Sequence, residues 1–146
     1  MKLHVLAAGL VALALSATGA AAAGKMHKLA LHLDENDPAK MNLVLNNADN
    51  VREYFAEQGD EVKIEIVAYG PGLKMYTADS PVKERIAAMS LQHSDVVQFS
   101  ACGNTLKKMS KAAGKDVKLL SEAVVVPAGV VRLMELHQEG YDYIRP

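Results

Sequence analysis

The chain carries a single cysteine, Cys102, and this is the residue with the best chemical case. Around it the sequence reads DVVQFSACGNTLKK, from Asp95 to Lys108. Val96, Val97 and Phe99 form the short apolar run of a buried strand. Ala101, Cys102 and Gly103 are small and mark a turn, and Asn104 and Thr105 open a helix. That places Cys102 where a strand feeds a helix N-terminus. Backbone N–H groups are unpaired there and the helix dipole is positive, so a thiolate is favoured over a thiol. Lys107 and Lys108 follow within about a turn and add positive potential. The plain alternative is a small buried hydrophobe, which is what a lone cysteine often is.

No other residue set competes. His27, His32, His93 and His137 are scattered without metal-ligand spacing, so no metal is expected. There is no GxxxxGK[ST] loop, no GxGxxG and no GxSxG, which leaves no cofactor signature and no serine nucleophile. The acidic loop Asp34–Asp37 lacks calcium-loop spacing and reads as a helix cap. Asn42, Asn46 and Asn50 form an i, i+4, i+8 stripe that is either a polar contact or a solvent face.

The elements that must position Cys102 follow from hydrophobic period and punctuation. HKLALHL (27–33) reads as a first strand, and Asp37-Pro38 opens a helix running to about Gln58, with Val44, Ala48, Val51 and Phe55 inward. VKIEIVAY (62–69) is a second strand, whose Lys63 and Glu65 suggest a partly exposed face or an edge. Gly70-Pro71-Gly72 makes a sharp loop, and 73–79 is irregular. A second helix spans about Pro81–Gln92 with Val82, Ile86 and Met89 inward. The third helix stops near Gly114. Ala123–Val126 is a fourth strand, Val130–Glu139 a fourth helix capped by Gly140, and Tyr141–Ile144 a short final strand. Alternating strands and helices predict an α/β fold, a three-layer α/β/α sandwich on a mostly parallel sheet of four to five strands. In such sheets ligands bind beyond the carboxyl ends of the strands. The loops holding Asp34–Asp37, Tyr69–Gly72, Cys102–Thr105 and Pro127–Gly129 should meet at that rim. Gly70 and Gly72 allow a close backbone approach to a ligand or the thiol, or simply make a tight turn, and Lys74 adds positive charge just beyond.

The first 23 residues read differently. Lys2 and His4 precede an apolar stretch, Val5–Leu15, and a small-residue run ending in alanines. This is a secretory signal pattern, with cleavage expected after Ala22 or Ala23. Residues 24–146 then form the domain, periplasmic or secreted, with no stable membrane insertion after cleavage. Without Lys2 the domain has 15 basic and 17 acidic side chains, which disfavours a nucleic-acid partner. One cysteine cannot form an intramolecular disulfide, so an exported chain of this kind suggests a reactive thiol or an intermolecular bond.

The stretches HLDENDPAKMNLVLNNADN, VAYGPGLKM, FSACGNT and VVPAGVVRLMELHQEGYDYIRP resemble the exported branch of the DsrE/DsrF-like proteins, over about Lys28 to Pro146. The resemblance implies an α/β/α sandwich and homo-oligomers, often trimers or hexamers. It also implies sulfur relay: a cysteine between the third strand and its helix takes up sulfane sulfur as a persulfide and hands it on. The matching position here is Cys102. The local sequence ACGNT differs from that of the cytoplasmic relay members. The expectation is an exported sulfur carrier whose partners are small inorganic sulfur species or a partner-protein thiol. Gly103, Asn104 and Thr105 would stabilise the anion, with Gly70, Gly72 and Lys74 nearby. The alternative is a periplasmic small-ligand or protein-binding module in which Cys102 only packs.

Overall fold

The computed structural model describes residues 24–146. The expected signal peptide lies outside the described residues. Strands β1 (Met26–Leu33), β2 (Glu61–Ala68), β3 (Val97–Cys102), β4 (Ala123–Val126) and β5 (Asp142–Ile144) form one sheet in the order β4-β3-β2-β1-β5. Every pairing is parallel. The helices are α1 (Pro38–Glu57), a 3-10 helix (Gly70–Tyr76), α2 (Lys83–His93), α3 (Gly103–Ala113) and α4 (Gly129–Gln138). The expected α/β sandwich is what the chain forms.

The strand order explains the layers. From β1 to β4 the chain steps in one direction across the sheet, and right-handed crossovers put every connecting helix on the same face. The step from β4 to β5 reverses direction, so α4 must cross the opposite face. The core divides accordingly. Leu29, Leu31, Ile64, Ile66, Phe99 and Ala101 point into the large cluster with Met41, Val44 and Leu45 of α1, and with Ile86 and Met89 of α2. Ala30 and Val67 point the other way, onto Leu136 and Leu133 of α4.

Local chemistry sets the boundaries. Asp37 caps α1 by accepting from the Ala39 N–H at 2.8 Å, with Pro38 in the first turn. Gly59, Gly114 and Gly140 have positive φ, at the ends of α1, α3 and α4. Two expectations need correction. Segment 73–79 is not irregular: the 3-10 helix continues to Tyr76, whose buried hydroxyl donates to the Ile66 carbonyl at 2.6 Å. Glu65 is not on an exposed face or an edge strand. It is 3% exposed in β2, at the centre of the sheet, because α4 brings Arg132 onto it with two contacts of 2.8 Å. The Ser100 hydroxyl also donates to Glu65, at 2.6 Å.

Candidate functional site

β3 runs straight into α3 with no intervening loop, so the turn expected at Ala101–Gly103 is a strand end and a helix start. Cys102 is both the last residue of β3 and the N-cap of α3. Successive strand residues face opposite sides. Phe99 and Ala101 enter the large core, so Cys102 projects with Ser100 toward the α4 layer. Two helix N-termini therefore reach one sulfur. Sγ accepts from the Thr105 N–H at 3.4 Å. The Thr105 side chain and the Gly129 and Asn104 amides lie around it and act on its pKa, while the Asn104 N–H makes its own hydrogen bond to the Pro127 carbonyl at 3.3 Å. Burial pushes the thiol pKa up. The donors from the Thr105 side chain, then the Gly129, Thr105 and Asn104 amides, outweigh burial and bring it below its ordinary value. The residue itself is 5% exposed.

The neighbours are held by close packing. The Gly70 N–H donates to Thr105 Oγ1 at 3.0 Å, which ties the 3-10 helix to α3 and orients the hydroxyl. A Cβ on Gly129 would lie 2.8 Å from Tyr69 Cδ1 and 3.3 Å from Cys102 Cβ, so only glycine lets α4 start this close to the sulfur. A Cβ on Gly103 would lie 3.0 Å from the Val126 carbonyl. Gly72 has a different neighbour: a Cβ there would meet the Leu33 carbonyl at 2.4 Å, so its closeness serves the packing of the 3-10 helix on β1.

Of the residues singled out from the sequence, Cys102, Gly103, Asn104, Thr105 and Gly70 come together. Lys74 is drawn instead into an ion pair with Asp79, which holds that carboxyl down at about 2. Lys107 and Lys108 lie on the exposed side of α3 and are not among the groups acting on the thiol. Of the Asn stripe, Asn42 is engaged: its Oδ1 accepts from Arg85 at 2.8 Å and its Nδ2 donates to the Pro38 carbonyl at 2.9 Å, while Asn46 and Asn50 are exposed.

Sequence reasoning missed an aromatic group beside the cysteine. Tyr69 packs against Gly129 and stacks on His32 with ring centroids 4.5 Å apart. His32 is 4% exposed, and its Nδ1 shares a 2.7 Å hydrogen bond with the Tyr143 hydroxyl. Its Nε2 is buried without a partner among the described residues. Burial lowers the His32 pKa, with Asp34 raising it and Arg145 lowering it. Alternation in HKLALHL places His32 opposite Leu31 and Leu33, but the aromatic partners come from the residue after β2 and from β5 and leave no local signal. Tyr69 and Tyr143 also line an apolar cleft of about 490 Å³ with Val130, Leu133 and Met134 of α4.

No protein-family profile and no curated protein sequence matches the chain. Among solved structures, it is similar to the structure of the protein of unknown function MTH1491 from Methanobacterium thermoautotrophicum. The two share 32% identity with a TM-score of 0.67, over 82% of this chain and 99% of the other. The chain belongs to the same family as MTH1491.

Proposed function

We propose that the chain is an exported sulfur-handling protein, a DsrE/DsrF-like member that carries sulfane sulfur as a persulfide on Cys102. The observation that carries this reading is the placement of Cys102 at the starts of both α3 and α4, with the Thr105 N–H donating to Sγ at 3.4 Å and Gly129 packed against the cysteine, surroundings that lower the thiol pKa. These surroundings favour the thiolate, which is the attacking species. With thiosulfate, Sγ attacks the outer sulfur. The new S–S bond forms as the old one breaks, and sulfite leaves with the electron pair. The product, Cys–S–S⁻, keeps its negative charge against the same amides. An acceptor thiolate then attacks the outer sulfur and releases the Cys102 thiolate. One cysteine is sufficient, because the second sulfur of the persulfide comes from the donor.

Export rests on the pattern of residues 2–23, and a periplasmic or secreted location follows from it. Homo-oligomerisation is part of the same proposal. α4 leaves Val130, Val131 and Met134 exposed, and the edge strand β4 leaves Val124 and Val125 exposed. Exposed apolar side chains grouped on two such elements call for a cover.

The test is intact-mass spectrometry of the mature protein, without reductant, after incubation with thiosulfate or polysulfide. The expected result is a gain of about 32 Da, one sulfur atom, on the wild type and none on Cys102→Ala. The burial of Cys102 and the adjacent apolar cleft favour a second reading, a binding module for a small ligand or protein. Absence of any adduct, together with a thiol that resists iodoacetamide in the folded state, would favour that reading instead.

A further inference from the structure

The charges of the domain are unevenly placed. Residues 104–118 hold five lysines, Lys107, Lys108, Lys111, Lys115 and Lys118, against the single acidic residue Asp116. The rest of residues 24–146 holds ten basic and sixteen acidic side chains. Positive charge is thus concentrated in one segment of the chain, while the remainder of the domain carries an excess of acidic side chains.

The lysines are arranged along one line. Asn104, Lys107, Lys108 and Lys111 fall at i, i+3, i+4 and i+7, one face of α3. All of them are exposed, while Leu106 and Met109 of the same helix turn to the core. From Asn104 to Lys111 the helix rises about 10 Å. Past the Gly114 cap, exposed Lys115 and Lys118 line a hollow of about 440 Å³ together with Asp116, Lys74 and Asp79. The lysines in ion pairs among the described residues are Lys40 and Lys74, so none of these five is drawn into an ion pair. The line begins at Asn104, two residues after the cap residue Cys102, and its first charge, Lys107, follows five residues after that cap.

We propose that this lysine line is a docking surface for an acidic face of a partner protein, which it orients toward Cys102. The proposal rests on the sulfur-carrier reading for the purpose of the encounter, since transfer requires a partner thiol to reach Sγ. The physics of the surface is independent of that purpose. A positive stripe that starts near the reactive atom and runs away from it attracts an acidic partner during diffusion, and this raises the on-rate. The alternatives fit less well. The exposed side of α3 has no bulky apolar residue to enter a lipid interface, and an interfacial helix needs one. The line carries neither arginine nor an aromatic ring for nucleic-acid stacking, and the negative remainder of the domain repels extended polyanions.

The test compares the mature wild type with a Lys111→Glu/Lys115→Glu/Lys118→Glu variant, changed away from the cysteine. The probes are three fluorescent twelve-residue peptides, glutamate-rich, glutamine-rich and lysine-rich, each with one cysteine activated as a mixed disulfide. In low salt the glutamate-rich peptide is expected to exchange with Cys102 about tenfold faster than the glutamine-rich one, and the advantage to vanish near 0.5 M salt, where charges are screened within a few ångströms. The triple variant is expected to lose or invert the preference while reacting with neutral iodoacetamide at the wild-type rate. Equal rates for the three peptides, or a preference kept by the variant, would overturn the proposal. Anisotropy with the unactivated peptides on Cys102→Ser reads the surface without the thiol. Selective binding of the acidic peptide there, with no exchange on the wild type, would uphold the docking surface and count against the sulfur chemistry. Sedimentation with vesicles rich in anionic lipid, lost in the triple variant and unaccompanied by any peptide preference, would assign the lysines to a membrane surface and also overturn it.

Discussion

Thr105 does the most to make Cys102 more than a packed hydrophobe. Its amide donates to Sγ, and its hydroxyl, which accepts from the Gly70 N–H, lies beside the sulfur and lowers the thiol pKa. A hydrogen bond to a charged group contributes ~1.5–3 kcal/mol, which corresponds to one or two pKa units. Thr105→Val keeps the shape and removes the hydroxyl, so its thiol should react with iodoacetamide about tenfold more slowly than wild type at neutral pH. Thr105→Ser should stay close to wild type. Equal rates for all three would remove the hydroxyl from the account. At this scale much was legible. The small residues before Asn104 and the helix-forming stretch after it place Cys102 at a helix start. Two things were not legible. Nothing in the local sequence shows that the sulfur points toward α4 and collects the Gly129 amide. Nothing near Lys74 shows that Asp79 claims its ammonium, because both facts depend on how distant segments pack.

Among the elements, α4 has the least familiar attachment. It reaches its sheet face through Leu133 and Leu136, and through Arg132, whose guanidinium grips the buried Glu65 and also contacts Glu135 and Glu139. Breaking such a pair from one side leaves an uncompensated buried carboxylate, which costs about 3–5 kcal/mol. Arg132→Ala should lose stability on that scale in urea unfolding. The double change Arg132→Met with Glu65→Leu should recover most of it, since two apolar groups leave no charge to compensate. A double variant as unstable as the single one would mean that the pair is not the source. The alternation in VKIEIVAY marks two faces correctly, but it cannot say what covers the second. Glu65 and Arg132 are 67 positions apart, and only the return crossover joins them. The GPG segment shows the same limit. It was legible as a sharp turn, whereas the 3-10 helix that it opens is held by Tyr76 bonding to a carbonyl of β2.

Across the whole molecule, the parallel sheet and its layers were legible because each β-α unit repeats the same local pattern, and handedness then leaves few topologies. The aromatic group around His32 was not legible, since it forms where β1, β2 and β5 meet. It carries a consequence for pH. Burial lowers the folded-state His32 pKa, so the unfolded chain binds that proton more readily. Stability from this group is complete above the unfolded value of about 6.5, falls as pH drops below it, and levels off below the folded pKa. Urea midpoints for the wild type should therefore decline on acidification through that window, and His32→Gln should show a shallower decline. Parallel declines in the two proteins would place the acid sensitivity elsewhere. Asp60 has a lowered pKa from its bond to His27, then from the Lys25 N–H. Its contribution is present above the ordinary carboxylate range and is lost only as pH falls through the folded pKa, well below the histidine window.

The account depends most on Cys102 being held as a thiolate by the converging donors. The direct measurement is thiolate ultraviolet absorbance of the folded mature protein across pH, with Cys102→Ala as the blank. The account predicts a midpoint below the ordinary thiol value of about 8.5, returning to that value when the protein is unfolded in urea. A folded midpoint at or above the ordinary value would mean that burial wins over the hydrogen bonds. Cys102 would then be a packed side chain, and the sulfur chemistry would have no physical basis.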